Sequence, residues 1–191
     1  MSEIRTKRLV LRRFKSDDWQ DLFEYLSIPD VGRYVPEWEC TPETCREATV
    51  EYSQKDTVWA VCLNGKMVGH VLLYPAHNPN FMICEIGFVF NPKYHGKGYA
   101  TEACKALLEY GFGKLNAHRI VATCDPENTR SWKLMQRLGM RREAHLKKCL
   151  YLRTPEPGKE PDWRGEYHYA ILKEESDFAR AISSEKEKKE K

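Results

Sequence analysis

The sequence predicts an α/β (α+β) domain built on one mixed sheet, and three observations carry that expectation. Apolar runs of strand period alternate with amphipathic runs of helical period in the order β-α-α-β-β-β-α-β-α-β-β. Two β-rich runs, Thr57–Leu63 and Lys66–Tyr74, are joined by Asn64-Gly65, the pair best suited to a two-residue hairpin turn. A chain of 191 residues, 41% hydrophobic and 31% charged, is long enough for one core and short for two. Residues 1–178 are therefore assigned to a single domain. The run Ser184–Lys191 mixes both signs of charge with no apolar residue, so 179–191 is expected to be a disordered, solvated tail.

Each element has its own local reason. Arg8–Phe14 centres Leu9, Val10 and Leu11 in a first strand. Ser16-Asp17-Asp18 offers capping oxygens to a helix whose stripe is Trp19, Leu22, Phe23 and Leu26, and Pro29 ends it. The stretch with Gly32, Tyr34 and Trp38 is expected to be an ordered loop. Thr41-Pro42-Glu43 opens a second helix, with a capping residue followed by Pro at the first helical position. After the hairpin, Met82–Phe90 forms a strand that stops at Asn91-Pro92. His95-Gly96-Lys97-Gly98 then opens a helix with Ala100, Ala103, Cys104, Leu107 and Gly111 on one face. His118–Thr123 is a strand, Asn128–Leu138 a helix ended by Gly139, and Ala144–Leu152 and Glu166–Leu172 the last two strands.

Composition removes several classes of function. The longest apolar stretches fall far below the roughly 18 residues of a membrane span, and Met-Ser-Glu-Ile-Arg has no signal-peptide core behind it, so the cytoplasm is the expected compartment. Seven cysteines without a CxxC pair argue against a disulfide framework or a zinc site. Six histidines show no ligand spacing, so no metal is expected. A net charge of +3 without a basic cluster points away from nucleic acid.

The informative stretch is Glu85-Ile-Gly-Phe-Val-Phe-Asn-Pro-Lys-Tyr-His-Gly-Lys-Gly-Tyr-Ala-Thr-Glu-Ala103. It is a strand, a tight glycine turn and a helix start, and the unpaired N–H groups of a first helical turn hold phosphate oxygens well. Lys97 and His95 could add charge. The P-loop pattern fails at Asn91 and Gly98, and the dinucleotide pattern fails because its third glycine would fall at Thr101. A lone Gly-x-Gly fits a plain helix-opening turn equally well.

Taken whole, the stretch resembles the pyrophosphate-binding signature of the Gcn5-related N-acetyltransferases (GNAT), Q/R-x-x-G-x-G/A, and in particular their ribosomal-protein-alanine (RimJ/RimL-like) branch. The likeness continues in His118–Ser131, Leu138-Gly-Met140, Trp163–Leu172 and Arg5–Arg12, so it covers residues 5 to about 175. It implies a GNAT-type fold, a mostly antiparallel central sheet flanked by helices. It implies acetyl-coenzyme A as cosubstrate and an amine-bearing acceptor, a protein N-terminus or a small molecule. Phe88, Val89 and Phe90 would pair with the pantetheine arm. Amides across His95, Gly96, Lys97, Gly98, Tyr99 and Ala100, with Thr101 beside them, would hold the pyrophosphate, and Asn128 would contact the pantetheine. Strands splaying beside residues 88–90 would open the slot where thioester meets amine. A monomer or homodimer is expected.

Two positions depart from the family pattern. Lys93 stands where the signature has Gln or Arg. Met135 stands where many members carry a Tyr that protonates the departing thiolate, and a thioether has no proton to give.

For the chemistry, Glu85 in its apolar strand is the candidate general base, acting through water, its proton held by poor solvation; the alternative is a strand carboxylate that faces solvent or pairs with Arg. Ser131, one helical turn beyond Asn128, is the candidate group near the coenzyme sulfur, or else a serine bonded to its own helix. Asn128 also reads as an N-cap. Tyr34, Trp38, Trp59, Tyr74 and Trp163 either line an acceptor pocket or belong to the core. The rival reading is a coenzyme-binding sensor that does no chemistry, favoured by Met135.

Overall fold

The computed structural model describes residues 3–35, 39–76 and 78–176; Trp38 and the charged tail lie outside them. The N-terminal strand region is two short strands, β1 (Ile4–Arg5) and β2 (Val10–Arg12), where one strand was expected. A turn closed by Thr6 N–H on the Leu9 carbonyl at 2.9 Å separates them, and a two-residue strand is too brief to leave a period-2 signature.

A single 3-10 turn, Ser16–Asp18, leads into α1 (Trp19–Leu26). The Asp18 carboxylate does not cap α1. It accepts the Lys15 N–H at 2.7 Å and the Arg12 guanidinium at 2.7 and 2.8 Å, tying the turn back to β2. Pro29 sits at the first position of a one-turn helix, α2 (Pro29–Gly32), inside the stretch expected to be loop. In α3 (Pro42–Ser53) the Thr41 hydroxyl accepts the Thr44 N–H at 3.1 Å, the cap that the sequence predicts.

The hairpin is β3 (Val58–Leu63) and β4 (Lys66–Pro75), with Asn64 and Gly65 at φ 50° and 86°, the left-handed pair that a type I′ turn requires. Then come β5 (Ile83–Phe90), α4 (Tyr99–Gly113), β6 (Arg119–Cys124), α5 (Thr129–Arg137), β7 (Arg141–Leu150) and β8 (Arg164–Leu172). The sheet order is β1-β2-β3-β4-β5-β6-β8-β7, antiparallel except between β5 and β6. That parallel ladder holds only Ile83↔Arg119, Cys84↔Ile120 and Glu85↔Val121. Beyond it β5 stays with β4, and β6 stays with β8. The sheet therefore parts in its middle.

Helices α4 and α5 cover one face over Trp59, Leu73, Ile86, Leu107 and Ile120, all buried. Helices α1 and α3 cover the other face over β2–β4, burying Leu22, Tyr25, Cys45 and Met67. No helix among the described residues is long and apolar enough to cross a membrane.

In that second layer His70 is buried, with its Nδ1 2.6 Å from the Tyr25 hydroxyl and the rings of Phe14 and Tyr52 around it. Burial lowers its pKa to about 4. The folded protein therefore refuses a proton that the unfolded chain accepts below about pH 6.5, so stability is lost as pH falls from there toward 4. The loss should reach about 2 kcal/mol at pH 5. Urea unfolding of wild type and His70→Gln between pH 7 and 5 measures it; the variant should show a flatter dependence, and parallel curves would refute the assignment.

Candidate active site

The glycine turn is held from behind before it meets any ligand. Asn91, buried, accepts the Lys93 N–H at 3.0 Å, and its amide nitrogen reaches Glu24 at 3.1 Å. Lys66 and Lys93 also bond Glu24, each at 2.8 Å; the Lys66 bond first and the Lys93 bond next hold its carboxyl down at about 2. On the far side of the turn Arg8 bonds the Lys97 carbonyl at 3.0 Å and the Glu102 carboxylate at 2.7 Å, and Thr6 bonds Glu102 at 2.6 Å. Burial opposes ionisation of Glu102, but the Thr6 hydroxyl and then Arg8 outweigh it and keep the carboxyl below its ordinary value. Glu102, in the first turn of α4, staples the β1–β2 turn to that helix.

Gly96 and Gly98 take φ of +74° and +79°, a conformation that favours glycine. The first N–H to close α4 is that of Glu102, onto the Gly98 carbonyl at 3.0 Å. The N–H groups of Tyr99, Ala100 and Thr101 thus have no intrahelical acceptor and carry the positive end of the helix dipole. They open onto a groove of about 1040 Å³ that runs along Phe88, Val89 and Phe90 to Asn128 and Ser131. Lys7, Lys105, Lys133, Arg130 and Arg137 also line it, which suits a ligand carrying several phosphates. A long, polyanionic molecule with an extended arm fits this shape and charge.

Where β5 and β6 part, a small cavity of about 120 Å³ meets the groove. Its walls are Ile86, Gly87 and Phe88 from β5, Thr123, Cys124 and Asp125 from the β6 end, Asn128 and Ser131, and Tyr34 from the segment after α2. Glu85 is half-buried on the last paired rung, one pleat from Gly87 on the same face of the sheet. Tyr74 lies opposite it on β4, and burial first and the Glu85 charge second raise its phenol to about 12.

Asn128 caps α5, its Oδ1 accepting the Ser131 N–H at 3.2 Å. It lines both cavities as well, so the cap and ligand-facing readings coexist. Ser131 is buried to 9% exposure and stands beside the Cys124 thiol. Burial lifts that thiol to about 11, and bonding to Ser131 draws it back only in part.

Two of the residues expected around the pyrophosphate also make contacts within the turn, His95 while lining the groove. The His95 N–H is taken by the Pro92 carbonyl at 3.1 Å, and its Nε2 lies 3.0 Å from the Phe90 carbonyl, so His95 braces the turn. The Lys97 ammonium lies over the Tyr94 ring at 5.6 Å, outside the groove lining. Of the five aromatics, Trp59 is fully buried core, Trp163 packs on Tyr151 at 5.5 Å, Tyr74 neighbours Glu85, and Tyr34 lines both cavities. The sequence reading missed Arg130, Lys133 and Arg137, although their spacing of three and four residues marks one face of α5. Among the described residues no group of three His, Cys, Asp or Glu side chains could hold a metal ion.

Comparison with known proteins agrees with this geometry. Residues 8–141 match the family model described as an acetyltransferase (GNAT) domain. The uncharacterized N-acetyltransferase YnaD of Bacillus subtilis is 44% identical over 176 residues, covering 90% of this chain and 98% of that protein. The spermidine N(1)-acetyltransferase of Escherichia coli K12 is 30% identical over 95 residues, half of each chain. A crystal structure of a GNAT-family acetyltransferase from Bacillus anthracis superposes with a TM-score of 0.81 at 42% identity, covering 91% of this chain and 99% of that one. A signature strand and turn, a sheet parted beside it and these matches lead to one assignment: the chain belongs to the GNAT family of N-acetyltransferases.

Proposed function

We propose that the protein moves an acetyl group from acetyl-coenzyme A to a primary amine by direct attack, without a covalent enzyme intermediate. The observation that carries this reading is the junction of groove and slot at the parting of β5 and β6. The first turn of α4 would hold the pyrophosphate, and the cationic face of α5 would hold the remaining phosphate. The edge of β5 at residues 88–90 would take the pantetheine as an added strand, bringing the thioester to Asn128 and Ser131.

The amine enters from the side of Glu85, which takes its proton through water. The nitrogen then attacks the carbonyl carbon, and collapse of the adduct breaks the C–S bond. Spermidine is what one relative's name gives as its acceptor, and the RimJ/RimL-like resemblance suggests a protein N-terminal amine; the acceptor here is one of these two kinds.

Release of free thiol from acetyl-coenzyme A, with spermidine and with an alanine-initiated peptide, tests the reading. Turnover with either supports it. Thermal stabilisation by the coenzyme without turnover would replace it with a sensor. Within this scheme Ser131 steadies the leaving sulfur. Ser131→Ala should lower kcat by no more than about 10²-fold, the lower end of proton-transfer contributions, with coenzyme affinity unchanged. An unchanged kcat would remove Ser131 from the chemistry.

A further inference from the structure

Loss of the acyl group leaves a thiolate that must be protonated, and α5 offers no phenol to do it. Met135, at the position where the family places one, is fully buried in the core. Four residues line both the coenzyme groove and the slot: Tyr34, Phe88, Asn128 and Ser131. They mark the place where a thioester would lie. Phe88 has no proton to give, and the Asn128 amide is a poor acid whose oxygen is already spent on the Ser131 N–H. Ser131 is an aliphatic alcohol that bonds Cys124. Cys124 lines the slot and not the groove. A phenol is a far stronger acid than an alcohol, so Tyr34 is the best donor at the junction.

Its placement is built and not incidental. The guanidinium of Arg33 lies over the Tyr34 ring at 5.4 Å and pairs with Glu127 in the turn before α5. Asp30 pairs with Arg130 at 2.8 Å, and Arg153 donates to the Gly32 carbonyl at 2.7 Å. Each tie is exposed and weak alone, but together they fasten α2 and the following residues across the mouth of the slot from two directions.

We propose that Tyr34 is the general acid of the transfer, supplied from the segment after α2 in place of the missing phenol on α5. The assignment rests on the acetyl-transfer reading above. The amine nitrogen forms its bond to the carbonyl carbon, the C–S bond breaks, and the sulfur takes the Tyr34 phenolic proton. The phenolate recovers a proton, through water, from the nitrogen of the adduct, so the products are the amide and the free thiol.

Thiol release from acetyl-coenzyme A with spermidine or the alanine-initiated peptide tests the assignment in wild type and Tyr34→Phe. The variant should lose about 10²-fold in kcat, with the coenzyme Kd and the amine KM within twofold of wild type. Difluorotyrosine at position 34, which keeps a phenolic donor there, should restore activity to within a few-fold of wild type. A Tyr34→Phe kcat within twofold of wild type, or a defect confined to the amine KM, would overturn the assignment and leave the acetyl-transfer reading intact. Wild type without thiol release from any amine would overturn both.

Discussion

Gly96→Trp should abolish acetyl-coenzyme A binding while leaving the protein folded. A Cβ built at Gly96 meets nothing within 4 Å, so the new side chain enters open space and displaces no core atom. The fold bears the cost of a non-glycine residue at φ +74°, about 1–2 kcal/mol. That is a Tm shift of a few degrees for a domain of this size. The ligand bears a larger cost. The indole fills the cradle in front of the first turn of α4, where the pyrophosphate would have to sit against unpaired N–H groups. Coenzyme at a hundred times its Kd would raise the stability of wild type by about 2.7 kcal/mol, and this stabilisation should be absent in the variant. Gly98 is a less clean position, because its Cβ would come into contact, at 3.4 Å, with Arg8, the residue tied to Glu102. Titration calorimetry, with circular dichroism to verify folding, decides the matter. An unchanged Kd in Gly96→Trp would place the phosphates elsewhere.

The turn was legible in the sequence because its cause is local. Gly96 and Gly98 declare a left-handed backbone, and the helix that follows declares its own unpaired donors. The Asn64-Gly65 hairpin and the Thr41 cap were legible for the same reason. The parting of the sheet has no local signature. It depends on where β6, more than 30 residues downstream, stops pairing with β5, and spacing alone does not encode that register. The family resemblance, not the pattern of residues, supplied the slot in advance. Tyr34 was only one of five scattered aromatics, and its place depends on Arg33 meeting Glu127 from 94 positions away. Trp59 shows the converse, since another of those five aromatics, set in β3, became fully buried core. The cationic row on α5 could have been read from its helical spacing, and was hidden only because exposed Lys and Arg are common on helices.

Glu85→Gln, next to the slot, should produce the largest kinetic defect of any conservative change around it, and the defect should depend on pH. Glu85 stands on the last rung shared by β5 and β6, beside Val121 and opposite Tyr74, where the two strands begin to separate. Glutamine keeps the size and one carbonyl oxygen but cannot take a proton. An ammonium cannot attack a carbonyl, so below the pKa of the amine every turnover needs a base. That range extends to about 7.7–8.0 for a peptide α-amine and about 10.4 for an amine like that of lysine. In it, kcat/KM should fall by about 10³-fold, within the usual span of acid–base contributions. At higher pH the amine is already neutral, and the variant should approach wild type. The crossover should therefore lie lower for an alanine-initiated peptide than for spermidine, because it follows the substrate. Tyr74 does not rescue the variant, since burial, the larger cause of its raised phenol, remains when the Glu85 charge is removed and still favours the protonated form. The coenzyme Kd should stay within twofold, because Glu85 lies outside the groove lining. Pre-steady-state thiol release with both amines from pH 6 to about 11 provides the measurement. A Glu85→Gln enzyme with the wild-type rate across that range would remove the carboxylate from the mechanism and leave water alone as the base.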